Sequence, residues 1–149
     1  MPVLQEILYG VPLKGVSGHT GIPVDHLCLD SRQVKLGSFF AAVPGTRVDG
    51  HQFIDDAIKK GAVAILCEVL PEHQHQNVTY VKVDSASRAL GVLASNFYEN
   101  PSRKLKLVGI TGTNGKTTVA TLLYQLFNKL GYSAGLLSTI SIKMADQSW

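Results

Sequence analysis

Lys116 stands directly after Gly115 and before two threonines in the run Val108-Gly109-Ile110-Thr111-Gly112-Thr113-Asn114-Gly115-Lys116-Thr117-Thr118. An ammonium group next to a hydroxyl at a glycine-rich turn is the chemistry that holds a polyphosphate. Glycines let successive backbone N–H groups turn inward around the anion, and a helix starting there adds unpaired donors and partial positive charge. In such a loop Lys116 reaches the β- and γ-phosphates of ATP, and the Thr117 hydroxyl coordinates Mg²⁺. The strict spacing G-x-x-x-x-G-K-[ST] would place its first glycine at position 110, where Ile110 stands; the glycines fall at 109 and 112 instead.

A phosphate loop must be held between a strand and a helix. The apolar run in Lys104–Ile110 predicts that strand. Val119, Ala120, Leu122, Leu123, Leu126, Phe127 and Leu130 predict a helix from Lys116 to Leu130 with those side chains facing inward, stopped by Gly131. A further strand is predicted over Ser133–Leu137.

Upstream, Val3, Leu4, Ile7 and Leu8 form one face of a short helix closed by Gly10 and Pro12, and Gly15–Pro23 reads as a loop. Strands are predicted over His26–Leu29, Ser38–Val43, Ala62–Cys67 and Val78–Val83, the second ended by the turn-forming Pro44-Gly45. A helix carrying Phe53, Ile54, Ala57 and Ile58 separates Ser38–Val43 from Ala62–Cys67, and Lys59, Lys60 and Gly61 suit its C-terminus. Strand, helix and strand with continuous apolar runs predict a parallel βαβ crossover. Asp84 or Ser85 caps a helix with Ala86, Ala89, Leu90, Leu93, Ala94 and Phe97 on one side, ended by Asn100-Pro101-Ser102. The expected fold class is α/β: a small substrate domain over residues 1–83, then the start of a Rossmann-like ATPase domain over 84–149.

The 149 residues are enough for one domain or two small ones. With 45% hydrophobic and 17% charged residues, the chain has material for a core and no signature of disorder. Lys and Arg number 14 against 11 Asp and Glu, and they are scattered apart from Arg103, Lys104 and Lys106, which speaks against a nucleic-acid surface. No apolar run approaches the roughly 20 residues of a membrane span, and Met1–Glu6 lacks the pattern of a secretory signal. The expected compartment is the cytoplasm. Cys28 and Cys67 lie in apolar runs and read as buried free thiols, while His73 and His75 read as solvated loop residues rather than metal ligands.

The loop Gly109–Thr118 resembles the ATP-binding loop of the Mur ligase family, ATP-dependent amide-forming enzymes of peptidoglycan precursor synthesis. Folylpolyglutamate synthases share a similar loop but place Gly-Ser after the lysine; Thr117-Thr118 argues against them. A second stretch agrees. Asp30-Ser31-Arg32, Val34, Gly37, Phe39-Phe40-Ala41-Ala42, Gly45, Asp49-Gly50-His51, Phe53-Ile54 and Ala57 resemble the N-terminal domain of two family members. One adds the third residue to UDP-N-acetylmuramoyl-L-alanyl-D-glutamate; the other adds D-alanyl-D-alanine. Thr113-Asn114 and the run Phe97-Tyr98-x-x-Pro101-Ser102-x-x-Leu105 are more similar to the first.

The resemblance implies ATP binding by Gly112, Thr113, Asn114, Gly115, Lys116, Thr117 and Thr118, with Lys116 catalytic and Thr117 on the metal. It implies contacts to the UDP-sugar end of the substrate from Leu29, Ser31, Thr46, Arg47 and Val48. The partners it implies are the UDP-N-acetylmuramoyl-dipeptide and an amino acid, meso-diaminopimelate or L-lysine, joined through an acyl phosphate. His51 matches the family's Asp-Gly-His run, and that match does not require it to be catalytic. In the family, further catalytic residues lie beyond the segment corresponding to Trp149, so the expectation is a fragment that does not complete the reaction alone. Exposed edges of the strands Lys104–Ile110 and Ser133–Leu137 predict self-association. A stand-alone P-loop nucleotide-binding module is the alternative outside this family.

Overall fold

The computed structural model describes residues 1–45, 48–144 and 147–148. The chain forms two compact units, Met1–Leu105 and Lys106–Trp149. The helix beginning after Ser85 therefore packs with the first unit instead of opening the second.

The first unit contains α1 (Leu4–Ile7), β1 (Leu13–Ser17), β2 (His26–Cys28), β3 (Ser38–Ala41), α2 (Ile54–Lys59), β4 (Ala62–Cys67), β5 (Thr79–Val83) and α3 (Ala86–Phe97). Short 3-10 turns cover Gly50–Phe53 and Pro101–Lys104. One sheet runs in the order β1-β5-β4-β3-β2. The pairs β2/β3, β3/β4 and β4/β5 are parallel, and β1 is antiparallel to β5.

Alternation along the central strands explains their largely apolar sequence, which only the exposed Lys82 of β5 breaks with a charge. Phe39, Ala41, Ala64, Leu66, Val81 and Val83 join a core with Leu4, Ile7, Ala86, Ala89 and Leu93, so α1 and α3 cover that face. Phe40, Ala42, Ile65, Cys67 and Tyr80 join the opposite core with Ile54 and Ala57 of α2. A sheet buried on both faces needs apolar side chains at successive positions rather than at every second one. The expected α/β class and βαβ crossover are what this unit shows. Both cysteines are buried free thiols, and burial pushes the Cys67 thiol up to about 11.

Two predicted elements change, one inside the first unit and one across the boundary at Leu105. Gly15–Pro23 is not all loop, because Leu13–Ser17 forms β1, an edge strand whose residues are all exposed. Hydrogen bonding to β5 holds it, which an apolar pattern cannot reveal. The predicted strand Lys104–Ile110 does not form: Pro101–Lys104 is a 3-10 turn, and residues 106–110 enter no ladder among the described residues. An apolar run becomes a strand only where a neighbour supplies partners for its N–H and C=O groups, and Leu107 and Val108 stay exposed.

The second unit contains α4 (Lys116–Lys129), β6 (Gly135–Leu137), β7 (Ile142–Met144) and β8 (Gln147–Ser148), with the strands in one antiparallel sheet. The strand predicted over Ser133–Leu137 is shorter than expected, and β7 covers one of its edges. Among the described residues, then, residues 106–110 offer no strand edge and β6 is paired on one side. The inward face predicted for α4 is corrected as well. Val119, Leu122, Leu126, Phe127 and Leu130 are exposed, and the helix buries no residue. Its amphipathic spacing is satisfied only where another layer packs against it. Among the described residues no helix is long and apolar enough to cross a membrane.

Candidate functional site

Parallel strands end together, so the loops after β2, β3, β4 and β5 gather at one edge of the sheet. The pairings Cys28 with Phe40, Ala41 with Leu66 and Leu66 with Val81 set that edge. Open α/β sheets present ligand sites at the carboxyl ends of their strands. Leu29 and Ser31 follow β2, Val48 follows β3, Glu68 follows β4, and the start of α3 follows β5.

The turn after β2 is self-fastened. Asp30 Oδ1 accepts from the Arg32 backbone N–H at 2.9 Å and from Arg32 Nε at 2.9 Å, while Asp30 Oδ2 accepts from Arg32 Nη2 at 2.6 Å. This grip by the Arg32 guanidinium, helped by the backbone N–H, pulls the Asp30 carboxyl down to about 2. Between them Ser31 is buried at 8% exposure, whereas Leu29 is 58% exposed. Lys60 Nζ donates to Ser31 O at 3.0 Å and to Asp56 Oδ2 at 2.7 Å, tying the turn to α2. Asp30 and Arg32 are paired with each other, with the Arg32 side chain still exposed, and Leu29 stands exposed beside them.

The turn after β3 closes through Gly45 N–H donating to Val48 O at 3.0 Å and Gly50 N–H donating to Val43 O at 3.1 Å. Val48 is exposed; the predicted substrate residues Thr46 and Arg47 lie outside the described residues. Gly50 is required by proximity, because a Cβ there would sit 2.7 Å from Val43 O. Asp49 then caps the 3-10 turn, accepting from His51 N–H at 3.0 Å, with His51 Nδ1 2.7 Å from the same oxygen. Those two bonds, the backbone one first, lower the Asp49 carboxyl below its ordinary value. His51 Nε2 accepts from Glu68 N–H at 2.9 Å, and Glu68 Oε1 accepts from Ala86 N–H at 2.8 Å at the start of α3. Sequence reasoning gave His51 no task; its spacing to Glu68 carries no motif, although the Asp-Gly-His run marked the place.

In the second unit the predicted helix begins at Lys116, directly after Gly115. Gly115 is the N-cap of α4 in the left-handed region, φ 75°, a conformation that glycine adopts without strain. Lys116, Thr117 and Thr118 form the first turn, whose N–H groups have no acceptor within the helix. Lys116 Nζ donates back to the carbonyl oxygens of Gly112 and Thr113, the latter at 3.3 Å. Thr117 is half-buried and Thr113, Asn114 and Thr118 are exposed. The lysine thus already arches over the loop it would share with a phosphate. His73 and His75 are exposed in the Pro71–Asn77 loop, and no group of three or more metal-ligating side chains occurs among the described residues.

Comparison with known proteins bears on both units. Residues 23–98 match the Mur ligase family, catalytic domain, and residues 110–148 match the Mur ligase middle domain. The chain is 53% identical over 145 residues to a UDP-N-acetylmuramoyl-L-alanyl-D-glutamate–2,6-diaminopimelate ligase of Cytophaga hutchinsonii, covering 97% of this chain and 30% of that protein. It thus spans about a third of the length of the relatives it matches. Among solved structures, MurF from Acinetobacter baumannii superposes with a TM-score of 0.63 at 25% identity, over 86% of this chain and 28% of that one. MurF ligase from Thermotoga maritima in complex with ADP does so with a TM-score of 0.54 at 34% identity, over 71% of this chain and 24% of that one. A family match across more than half of the chain, continued by the middle-domain match over the glycine-capped loop, places the chain in the Mur ligase family.

Proposed function

We propose that this chain carries the substrate-recognising end and the ATP loop of a ligase that joins 2,6-diaminopimelate to UDP-N-acetylmuramoyl-L-alanyl-D-glutamate. The observation that carries the reading is the start of α4, where Gly115, Lys116 and Thr117 make a cationic, donor-rich cup in the segment matching the middle domain. Diaminopimelate is preferred to L-lysine by the names of the relatives at 46–53% identity. The reading of a D-alanyl-D-alanine ligase rests on structures at 25–34% identity and is second.

Joining a carboxylate to an amine in water is uphill, so the carboxylate must first be activated. The D-glutamyl carboxylate attacks the γ-phosphorus of ATP, the bond to the β-phosphate oxygen breaks, and ADP and an acyl phosphate result. The incoming amine attacks the acyl carbon, phosphate leaves, and the amine gives up a proton. Protein groups here act by positioning and charge neutralisation. Gly112, Thr113, Asn114 and Gly115 present loop N–H groups to the phosphates together with the first-turn N–H groups of Lys116, Thr117 and Thr118. Lys116 exchanges the carbonyls of Gly112 and Thr113 for phosphate oxygens and offsets the repulsion between two anions. The Thr117 hydroxyl is a hard oxygen donor of the kind Mg²⁺ accepts beside phosphate oxygens and water, so the residue fits that ion; bound there, the ion supplies further charge neutralisation.

In the first unit, Leu29, Ser31 and Val48, at the carboxyl edge of the sheet, contact the UDP-sugar end of the substrate together with Thr46 and Arg47. A reaction drawing on ATP and a nucleotide-linked sugar belongs in the cytoplasm. Calorimetric titration with ATP and Mg²⁺ tests the loop. The expected result is saturable binding that weakens at least about tenfold in Lys116→Ala, from the loss of charge-assisted hydrogen bonds. Absence of binding by the unaltered chain, or indifference to Lys116→Ala and Thr117→Ala together, would overturn the assignment.

A further inference from the structure

An aspartate 2.7 Å from a histidine invites a reading as a general-base pair, yet the geometry here forbids it. His51 Nδ1 faces Asp49 Oδ1, so it carries the proton and donates. Nε2, the nitrogen a base would use, already accepts from Glu68 N–H at 2.9 Å and lies 3.4 Å from Val69 N–H. A proton on Nε2 would point at two backbone donors, so the arrangement holds the neutral Nδ1–H tautomer. The imidazole is largely covered, at 16% side-chain exposure.

We propose that His51 is a positioning residue, which as this tautomer locks the Val48–Asp49 side of the β3 turn to the backbone beyond β4. The inference rests on the proposed role of Val48 in substrate binding and deepens it. Each link is a hydrogen bond. Asp49 is fastened to His51 by its backbone and its ring. The ring crosses to Glu68, 17 residues away. Glu68 carries the tie onward through its carboxylate to the Ala86 N–H, where a helix start favours negative charge. Gly50 makes the crossing possible by letting the chain pass against Val43 with no side chain between them. Three loops at the carboxyl edge are thereby fixed relative to one another. Such a tie sets affinity for the UDP-sugar by holding the turn in its binding shape before the ligand arrives.

The test combines spectroscopy with substitution on the full 149-residue chain. Long-range ¹H–¹⁵N spectra of the imidazole should show a protonated Nδ1 and an unprotonated Nε2 at neutral pH; the opposite tautomer overturns the proposal. His51→Ala should shift the amide resonances of Val48 and Asp49 and weaken binding of UDP-N-acetylmuramoyl-L-alanyl-D-glutamate about tenfold, given two lost hydrogen bonds. His51→Gln keeps an acceptor at the Nε2 position and should recover most of that affinity. His51→Asn keeps only a donor near Asp49 and should not. Equal affinity in all four proteins, or equal loss in the Gln and Asn variants, contradicts the tie; the Gln and Asn pair decides even where the Ala variant fails to fold. If the unaltered chain binds no UDP ligand, the proposed function fails, while the tautomer and the Val48 and Asp49 shifts still decide the role of His51.

Discussion

The guanidinium of Arg32 clasps both carboxylate oxygens of Asp30, with Nε at 2.9 and 3.0 Å and Nη2 at 2.6 Å. The Asp30 carboxyl is held at about 2, below its ordinary 3.8. A depressed carboxylate contributes stability above its unfolded value and loses it as pH falls through the folded one. The contribution from Asp30 is therefore complete above about pH 4 and disappears toward pH 2. Carbon-detected NMR titration of the Asp30 carboxyl should give about 2 in the unaltered protein and a value moved up toward 3.8 in Arg32→Ala; an unchanged value would show that Arg32 is not the cause.

Both thiols should be silent in the folded protein. Cys67 has no exposure and its thiol is pushed up to about 11 by burial, and Cys28 is 8% exposed. A thiolate-dependent reagent such as Ellman's should label neither at pH 8 until denaturant is added. Stoichiometric labelling of the native chain would contradict the burial of β2 and β4.

The two amphipathic helices should respond differently to the same truncation. Leu93 of α3 is fully buried against the sheet, while Leu122 of α4 is 59% exposed. Leu93→Ala should cost about 2–5 kcal/mol by leaving a cavity. Leu122→Ala should stay within about 0.5 kcal/mol, as surface changes do. Denaturant titration followed by circular dichroism distinguishes them.

Glycine-to-alanine substitutions should change sign with place. At Gly50 a Cβ meets Val43 O at 2.7 Å and Val43 N at 2.8 Å, backbone that cannot step aside, and Gly50→Ala should destabilise by about 1–3 kcal/mol. Gly91 lies inside α3 with nothing within 4 Å of a Cβ, so Gly91→Ala should stabilise by about 0.5–1 kcal/mol. Melting temperatures should move in opposite directions.

What could be read in advance follows from the range of the interaction. Residues 39–41 and Ala62–Cys67 announce themselves because a strand buried on both faces is apolar throughout, and Thr79–Val83 does so despite its one exposed residue, Lys82. The Gly115-Lys116-Thr117 start of α4 was legible because its chemistry is contiguous. Leu13–Ser17 was not, since an exposed edge strand is defined by its partner. Residues 106–110 and the apolar side of α4 erred the other way, where a pattern promised a neighbour that the described residues do not supply. The His51 tie joins residues 17 apart through a side chain and a backbone N–H, and only the meeting of two loops creates it.

The proposed function requires that the carboxyl edge of the first sheet recognise the UDP-linked dipeptide. Calorimetric titration of the chain with UDP-N-acetylmuramoyl-L-alanyl-D-glutamate in the absence of ATP tests it most directly. One saturable site, competed by UDP and weakened by substituting the exposed Leu29, is the predicted result. No binding under conditions where ATP binds would contradict it and leave a nucleotide-binding module.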